Sequence, residues 1–439
     1  MKVHADLRAG ARMHETRLKN GLDVLIAERH DDPVVCVILY YGVGSVSESD
    51  AEAGMSHFLE HMMFKGSAKF AKGEVDRLTT LLGGMNNAFT GKDHTAYWMR
   101  FASDRWETAL EIEADRMRGL TLDPTEFEAE RQVVLEELSM GLDEPWSILM
   151  TTVEEALFGR HPYGRPIIGY PESLAQMTPE MMREFHARFY HPANAKLVIA
   201  GDVTPSAALR AVRKHLGKLP AGPRGANAFA LPAPPVGRSD SRFCLSWDDA
   251  GRRLCMAWPT DKVGSETDYD LDLVSELLTG GKASRLIKRL VDDEGLATSV
   301  STSNDARVHG GAFWLMAECA HGVAPEVLET AIDEELELLG KELVPASERK
   351  RVLARILSGD VQQGETVSEL AEELGSMAVD LHWSRAFDDG EHHKAVTGRR
   401  IRATTARLLS PATRVVGWSL PEAERAARLG LSALPGATS

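Results

Sequence analysis

Cysteine is scarce in this sequence, and the few cysteines are scattered. The 439 residues include four of them, and no two form a C-x-x-C pair. This usage argues against a disulfide framework and against a thiolate metal site. We expect the four side chains to be small buried apolar groups: Cys36, Cys244, Cys255 and Cys319.

Long apolar runs and an excess of positive charge are also missing. No run approaches the roughly 18 residues that cross a bilayer, and the N-terminal residues MKVHADLRAG hold no signal-peptide core. We therefore expect a soluble protein with no membrane span, of the cytoplasm or the bacterial periplasm, although a removed export or transit signal would leave no trace. The net charge of -15 argues against a nucleic-acid partner.

The most informative stretch is residues 54–66, which read GMSHFLEHMMFKG. Ser49 and Glu52 ahead of it have the spacing of a capping box, and Lys65 followed by Gly66 is typical of a helix end. We therefore predict one capped helix over this stretch.

Three side chains of this helix can serve a metal centre. His57 and His61 lie four residues apart and share a helix face with Glu60, in the inverted order H-x-x-E-H. Two imidazoles suit Zn²⁺, and a nearby carboxylate can take a proton from a metal-bound water. The alternative is a pair of surface histidines, but the apolar flanks of this helix favour a buried cluster that needs a partner.

A second helix, predicted over residues 124–140, carries further carboxylates. Glu130 and Glu137 lie two turns apart on one face, with Glu126 one turn earlier. Taken by itself this helix is better explained as a solvated acidic face. A tetrahedral site nevertheless needs a third protein ligand from outside the histidine helix.

Turn signals and alternation predict the elements around these helices. Asn20-Gly21 predicts a hairpin over 14–30, and an apolar strand is expected over 33–42. Residues 85–101, MNNAFTGKDHTAYWMRF, predict two strands joined by a turn at 91–93. A polar loop is expected around His392 and His393, and a structural role for His94.

An internal repeat predicts the domain organisation. Residues 37–52 and 255–270 share a strand, Val-Gly-Ser and an acidic helix entry, and a strand followed by Pro and a helix recurs near the end of each half. We predict an α+β fold of two homologous halves, each a mostly antiparallel sheet flanked by helices. The expected boundaries are 1–218 for the metal-bearing half, 219–240 for a Pro/Gly-rich linker and 241–439 for a half without a metal site.

Three stretches together, GMSHFLEHMMFKGS, GGMNNAFTGKDHTAYW and ERQVVLEEL, resemble the N-terminal half of the M16 family of zinc peptidases, the group of pitrilysin and the mitochondrial processing peptidase. The resemblance extends over the whole chain and is greatest to members that work as pairs of chains. It implies one Zn²⁺ per chain with His57, His61 and Glu137 as ligands, Glu60 as general base and Glu130 as a supporting carboxylate.

The same resemblance implies how a substrate would bind. In the family an edge strand near the metal adds an extended peptide as a further strand, by main-chain hydrogen bonds. The matching positions are Asn87, Ala88 and Thr90. The alternative is an ordinary sheet strand with Asn87 in a turn.

The chain departs from the family in its C-terminal half. Single-chain members, and the non-zinc partners of two-chain members, carry an Arg and a Tyr there, seven residues apart, which contact the substrate. The matching stretch LVDDEGLAT has Val291 and Thr298 instead. We therefore expect a heterodimer with a homologous chain that supplies the pair, acting on unfolded peptides in an enclosed chamber. The alternatives are a self-sufficient homodimeric peptidase and a non-catalytic scaffold subunit.

Overall fold

The structure is a computed structural model that describes residues 2–4, 10–223, 241–362 and 364–425. The strands are β1 (Lys2–His4), β2 (Arg12–Arg17), β3 (Asp23–Glu28), β4 (Val34–Tyr41), β5 (Met85–Thr90), β6 (Thr95–Ala102), β7 (Ala195–Gly201), β8 (Ser241–Trp247), β9 (Arg253–Thr260), β10 (Ala297–Asp305), β11 (Gly311–Cys319) and β12 (Val415–Pro421).

The α-helices follow in the same chain order. They are α1 (Met55–Met62), α2 (Glu74–Leu81), α3 (Glu107–Gly119), α4 (Pro124–Leu142), α5 (Pro145–Phe158), α6 (Pro171–Gln176), α7 (Pro179–Phe189), α8 (Pro205–His215), α9 (Glu266–Thr279), α10 (Pro325–Lys341), α11 (Ala346–Gln362), α12 (Val367–Asp380), α13 (Arg385–Ala395), α14 (Gly398–Leu408) and α15 (Glu422–Arg425). A π-helical segment, Ile287–Asp293, lies between α9 and β10.

The first sheet has seven strands in the order β1-β2-β3-β7-β4-β6-β5. All neighbours are antiparallel except β3 and β7. The predicted hairpin is confirmed as β2 and β3, joined through Gly21 at a φ of 92°. The predicted strands over 85–101 are confirmed as β5 and β6, and β5 lies at the edge of the sheet.

Both faces of this sheet are buried, which explains the continuous apolar run of β4. Val37 and Leu39 face a core shared with α1, α3 and α7, whereas Ile38 and Tyr40 face a second core that includes Leu370 of α12. A strand covered on both faces shows no apolar/polar alternation. The α1 helix lies on the first of these faces, close to the open edge of β5.

The second sheet repeats the order of the first. Its five strands run β10-β11-β9-β12-β8, which matches β5-β6-β4-β7-β3 strand for strand. The one parallel pair, β12 with β8, corresponds to the parallel pair β7 with β3. The predicted fold class is therefore confirmed, as an α+β fold of two like halves.

The described chain forms two compact units, and neither is continuous in sequence. Within the described residues, the first comprises 2–4, 10–138, 165–223, 359–362 and 364–388, and the second comprises Ser139–Gly164, 241–358 and 389–425. The reason is that α5 packs on β9 and β12, whereas α12 packs on β4 and β7. The predicted division at 218 and 241 remains a prediction about the repeat, and residues 224–240 of the predicted linker lie outside the described residues.

Candidate metal centre

The α1 helix begins later than its capping signals predict. Ser49 and Glu52 do form a capping box, but it caps a single 3₁₀ turn, Asp50–Glu52. Gly54, at a φ of 96°, then turns the chain into α1. The helix also ends at Met62, ahead of Lys65 and Gly66. The prediction of one helix capped by Ser49 was therefore wrong in its bounds, because a left-handed glycine separates the capped turn from the helix.

The start of α1 is held instead by Glu48, which the sequence did not single out. Its carboxylate accepts hydrogen bonds from the backbone N–H groups of Gly54, at 2.9 Å, and Ser56, at 2.7 Å. Burial raises the pKa of Glu48 to about 7, although these hydrogen bonds and the charge of Arg165 oppose the rise. No local pattern marks Glu48, because its role depends on a turn that brings it back beside the helix.

The buried face of α1 anchors the histidines. Phe58, Leu59 and Met62 are fully buried in the core, and His57 and His61 share the opposite side, with ring centroids 4.8 Å apart. The side chains of these two histidines are 14% and 22% exposed. This confirms the inference that the cluster is largely buried.

Glu137 of α4 completes a group of three. Its carboxylate oxygens lie 3.7 Å from Nε2 of His57 and 3.5 Å from Nε2 of His61. The ligand atoms of the three side chains all lie within 4.8 Å of one another, and no other such group of His, Cys, Asp or Glu occurs in the described part of the chain. Burial, and then the neighbouring His61, lowers the pKa of His57 to about 4, so this imidazole is neutral at pH 7.

Glu130 orients one of these histidines. It accepts a hydrogen bond from Nδ1 of His61 at 2.9 Å and pairs with Nζ of Lys65 at 2.6 Å. Burial by itself raises the pKa of Glu130, but the hydrogen bonds from Lys65 and His61 outweigh it, and the pKa is lowered. A carboxylate on Nδ1 leaves Nε2 as the lone-pair atom, which here faces Glu137. Glu126 lies elsewhere and pairs with Lys72.

Glu60 points from α1 towards β5. One of its oxygens accepts a hydrogen bond from the Thr90 hydroxyl at 2.5 Å. Burial raises the pKa of Glu60 above its usual value, against the opposing effects of Thr90 and His61. The sequence predicted Thr90 to lie on the substrate strand, and nothing in the sequence linked it to Glu60.

The other predicted strand residues lie on the same open edge. Asn87 and Ala88 belong to β5, which pairs with β6 alone among the described strands. Oδ1 of Asn87 accepts a hydrogen bond from the backbone N–H of Ala88 at 2.9 Å. His94, in the turn between the two strands, pairs with Asp380 at 3.0 Å, as a structural residue does.

The positions of the missing Arg/Tyr pair lie in the second unit. Val291 is part of the π-helical segment and packs against the core of that unit, whereas Thr298 lies on the edge strand β10.

The predicted loop around His392 and His393 is wrong, since both belong to α13, where His393 pairs with Asp272 at 2.9 Å. This helix escaped prediction because Gly390 and acidic residues interrupt its apolar pattern.

The donor set fits zinc. Two imidazole nitrogens and one carboxylate oxygen are the protein ligands of a typical catalytic zinc site, and a fourth position is then left for water. The carboxylate on Nδ1 of His61 is the usual outer-shell partner of a metal-bound histidine. All four cysteines are buried and free, so thiolates play no part in this site.

Among the described helices, none combines the length and the apolar character that a membrane span requires.

Two family models match this chain. The model described as insulinase, peptidase family M16, covers residues 23–170, and the model described as the peptidase M16 inactive domain covers residues 176–356. His57, His61 and Glu137 all lie within the first match.

Curated relatives and solved structures agree with these matches. An uncharacterized zinc protease of Mycobacterium leprae is 31% identical, with 90% of this chain and 89% of that protein covered. An uncharacterized zinc protease of Mycobacterium tuberculosis is 29% identical, with 92% and 93% covered. The crystal structure of a protease from Helicobacter pylori has a TM-score of 0.88 at 24% identity, covers 94% of this chain and 100% of its own, and shows the shared fold.

Proposed function

Because the chain belongs to the M16 peptidase family, we propose that it is the zinc-binding subunit of a metalloendopeptidase that cleaves unfolded peptides. The observation that carries the proposal is the grouping of His57, His61 and Glu137 on two helices, with the Glu60 carboxylate held between that group and an open strand edge. These three side chains would hold the ion, and Glu130 would keep His61 in the ligating orientation.

The roles of the chain's own residues follow from this arrangement. Bound zinc would polarise the peptide carbonyl and make water acidic enough to lose a proton near neutral pH. Glu60 would take that proton and pass it to the leaving amine. The open edge of β5 would align an extended peptide through its main chain, with Asn87 and Ala88 beside it. The N–H of Ala88 would exchange its bond to the Asn87 side chain for a bond to substrate. A folded substrate could not offer its backbone in this way.

The lack of an Arg/Tyr pair supports the need for a second chain. Val291 is packed into a core and Thr298 is short, so neither replaces a substrate-binding Arg or Tyr. We propose that a homologous chain bearing the pair completes an enclosed chamber. A self-sufficient homodimer is the alternative, and the native mass of the purified protein separates the two: a homodimer that cleaves peptides with no other chain present overturns the heterodimer.

A direct experiment tests the peptidase proposal. The zinc-loaded chain, alone and with a homologous chain that carries the pair, is incubated with unstructured peptides, and the products are identified by mass spectrometry. We expect weak cleavage alone and strong cleavage with the partner. Glu60→Gln should abolish cleavage in both cases while the zinc content stays at one per chain. Loss of zinc in this variant would make Glu60 a ligand instead of a base.

A non-catalytic scaffold subunit is the second candidate. It is favoured by one observation, that the model matching residues 176–356 is described as an inactive domain. The metal group lies outside that range, however. Metal analysis of the purified chain decides the matter, since a scaffold that has lost its chemistry would hold no stoichiometric zinc.

A further inference from the structure

Thr90 lies where the edge strand meets the metal helix. It is the last residue of β5 and pairs with Thr95 across the hairpin. Its hydroxyl donates to Oε2 of Glu60 at 2.5 Å. Within the described residues, no other side chain or backbone group hydrogen-bonds this carboxylate. A residue expected to face the substrate is therefore engaged with the proposed base.

The backbone around Thr90 is fastened to the segment that leads into α1. The carbonyl of Gly91 accepts the N–H of Ser45 at 3.2 Å, and the carbonyl of Lys92 accepts the N–H of Val46 at 2.9 Å. Gly44 packs so closely on this turn that an added Cβ would lie 2.5 Å from both carbonyl oxygens. The position of the Thr90 hydroxyl relative to α1 is therefore set by main-chain contacts.

The Glu60 side chain needs such a constraint. A glutamate has three rotatable bonds and loses much rotamer freedom when it is held in one geometry. Misplacement of a reacting group by about 1 Å can cost on the order of 100-fold in rate. One hydrogen bond from a fixed strand engages Oε2 and leaves Oε1 for a water molecule.

We infer that Thr90 is a positioning residue, whose hydroxyl holds the Glu60 carboxylate in the orientation that accepts a proton. The inference rests on the proposed peptidase function and adds a role that the substrate strand alone does not require. It also makes one strand serve two purposes: its open edge aligns the peptide, and its last side chain aligns the base. Thr90 would therefore act through Glu60.

The kinetic experiment compares Thr90→Val, which removes the hydroxyl, with Thr90→Ser, which keeps it. Against an unstructured peptide and with zinc loaded, we expect Thr90→Val to lower kcat by about 10- to 100-fold with little change in KM. Thr90→Ser should recover kcat to within about threefold, and zinc content should stay at one per chain in both variants. A raised KM with an unchanged kcat would make Thr90 a substrate-contact residue and overturn the inference, as would a Thr90→Val enzyme that is as fast as the parent.

A second experiment needs no activity. In the metal-free protein, the melting temperatures of Thr90→Val, Glu60→Ala and the double variant form a double-mutant cycle. We expect the double variant to shift the melting temperature by clearly less than the sum of the single shifts, because each single change removes the same contact. Additive shifts would overturn the inference. Coupled shifts in a protein that cleaves no peptide would instead overturn the proposed function and leave the contact standing.

Discussion

The two halves of this protein share one topology and differ in the side chains that lie where a helix meets the edge strand of the sheet. The helix that follows β4 in the first half and the helix that follows β9 in the second both pack against an edge strand, α1 against β5 and α9 against β10. In the first half this contact joins the carboxylate of Glu60 to Thr90. In the second, the hydroxyl of Thr279 meets that of Thr302 at 2.8 Å. The fold therefore determines where a site can form, and a few side chains determine whether one does.

The halves also share two structural features: a buried carboxylate at a helix start and a buried arginine paired with acidic residues. Each helix start is preceded by a glycine whose N–H donates to a buried carboxylate, Gly54 to Glu48 and Gly264 to Asp268. Each half also buries an arginine next to acids. Arg116 has the single carboxylate of Glu113, at 2.9 Å from its Nε, whereas Arg414 has both Asp333 and Glu329. These matched pairs make the comparison testable.

The largest expected difference between the halves is in metal binding. His61→Ala should reduce the zinc content from one per chain to near zero, because it removes a ligand and the partner of Glu130. His393→Ala, which removes a paired histidine of the second half, should leave the zinc content at one. Elemental analysis after dialysis measures both. Stoichiometric zinc in His61→Ala would place the metal elsewhere in the chain.

The second difference is in the buried ion pairs. Glu113→Gln should lower the free energy of unfolding by about 3–5 kcal/mol, because Arg116, 2% exposed, is then a buried cation without a carboxylate. Asp333→Asn should cost less, because Arg414 keeps Glu329. Urea denaturation of the metal-free protein compares the two. Equal losses would mean that the second carboxylate does not share the charge of Arg414.

A third, smaller effect concerns the orientation of His61. Glu130→Gln should weaken zinc binding by about 10- to 100-fold without abolishing it, because the amide holds Nδ1 less firmly than a carboxylate. Glu126→Gln is the matched control from the same helix face and should leave the affinity unchanged, since Glu126 pairs with Lys72. Competition with a chromophoric chelator measures the affinities. Equal weakening in the two variants would point to the net charge of α4 as the cause.

The smallest expected effect is a pH dependence of stability from Glu48. Its pKa is raised by burial from 4.5 to about 7, so the native state holds a proton on this group that the unfolded state has already lost. The free energy of unfolding should therefore fall as the pH rises through the window from about 4.5 to about 7. Glu48→Gln should flatten this part of the profile, measured by urea denaturation of the metal-free protein at several pH values.

Asp268 offers the matched test in the second half. Burial, and then the charge of Asp272, raises its pKa from 3.8 to about 6, so Asp268→Asn should flatten the profile in a lower window. If both substitutions act in the same window, or if neither changes the slope, the carboxylates at the two helix starts do not titrate as the structure indicates.

The local elements were predictable because their signals are local. Asn20-Gly21 marks a hairpin, the Thr-rich and aromatic alternation of 85–101 marks two strands, and the spacing of His57 and His61 places both on one helix face. The repeat in sequence corresponds to the strand order that the five-stranded sheet shares with five strands of the first sheet. The bounds of α1 were missed because both a capping box and a left-handed glycine precede it, and only the three-dimensional path of the chain shows which one starts the helix.

The sequence by itself determined which functional groups are available. They are two imidazoles and a carboxylate on one helix, a second acidic helix and an edge strand, with no Arg/Tyr pair at the matching positions of the second half. These features depend on the type and spacing of residues near one another in the chain, which the sequence gives directly. The resemblance also implied Glu137 as the third ligand, and the structure brings it to the histidines. Only the tertiary structure decided that Glu48 holds the start of α1, that Thr90 engages Glu60, and that α5 and α12 each pack on the sheet of the other half. Each of these depends on contacts between residues from separate elements, which no spacing along the chain encodes.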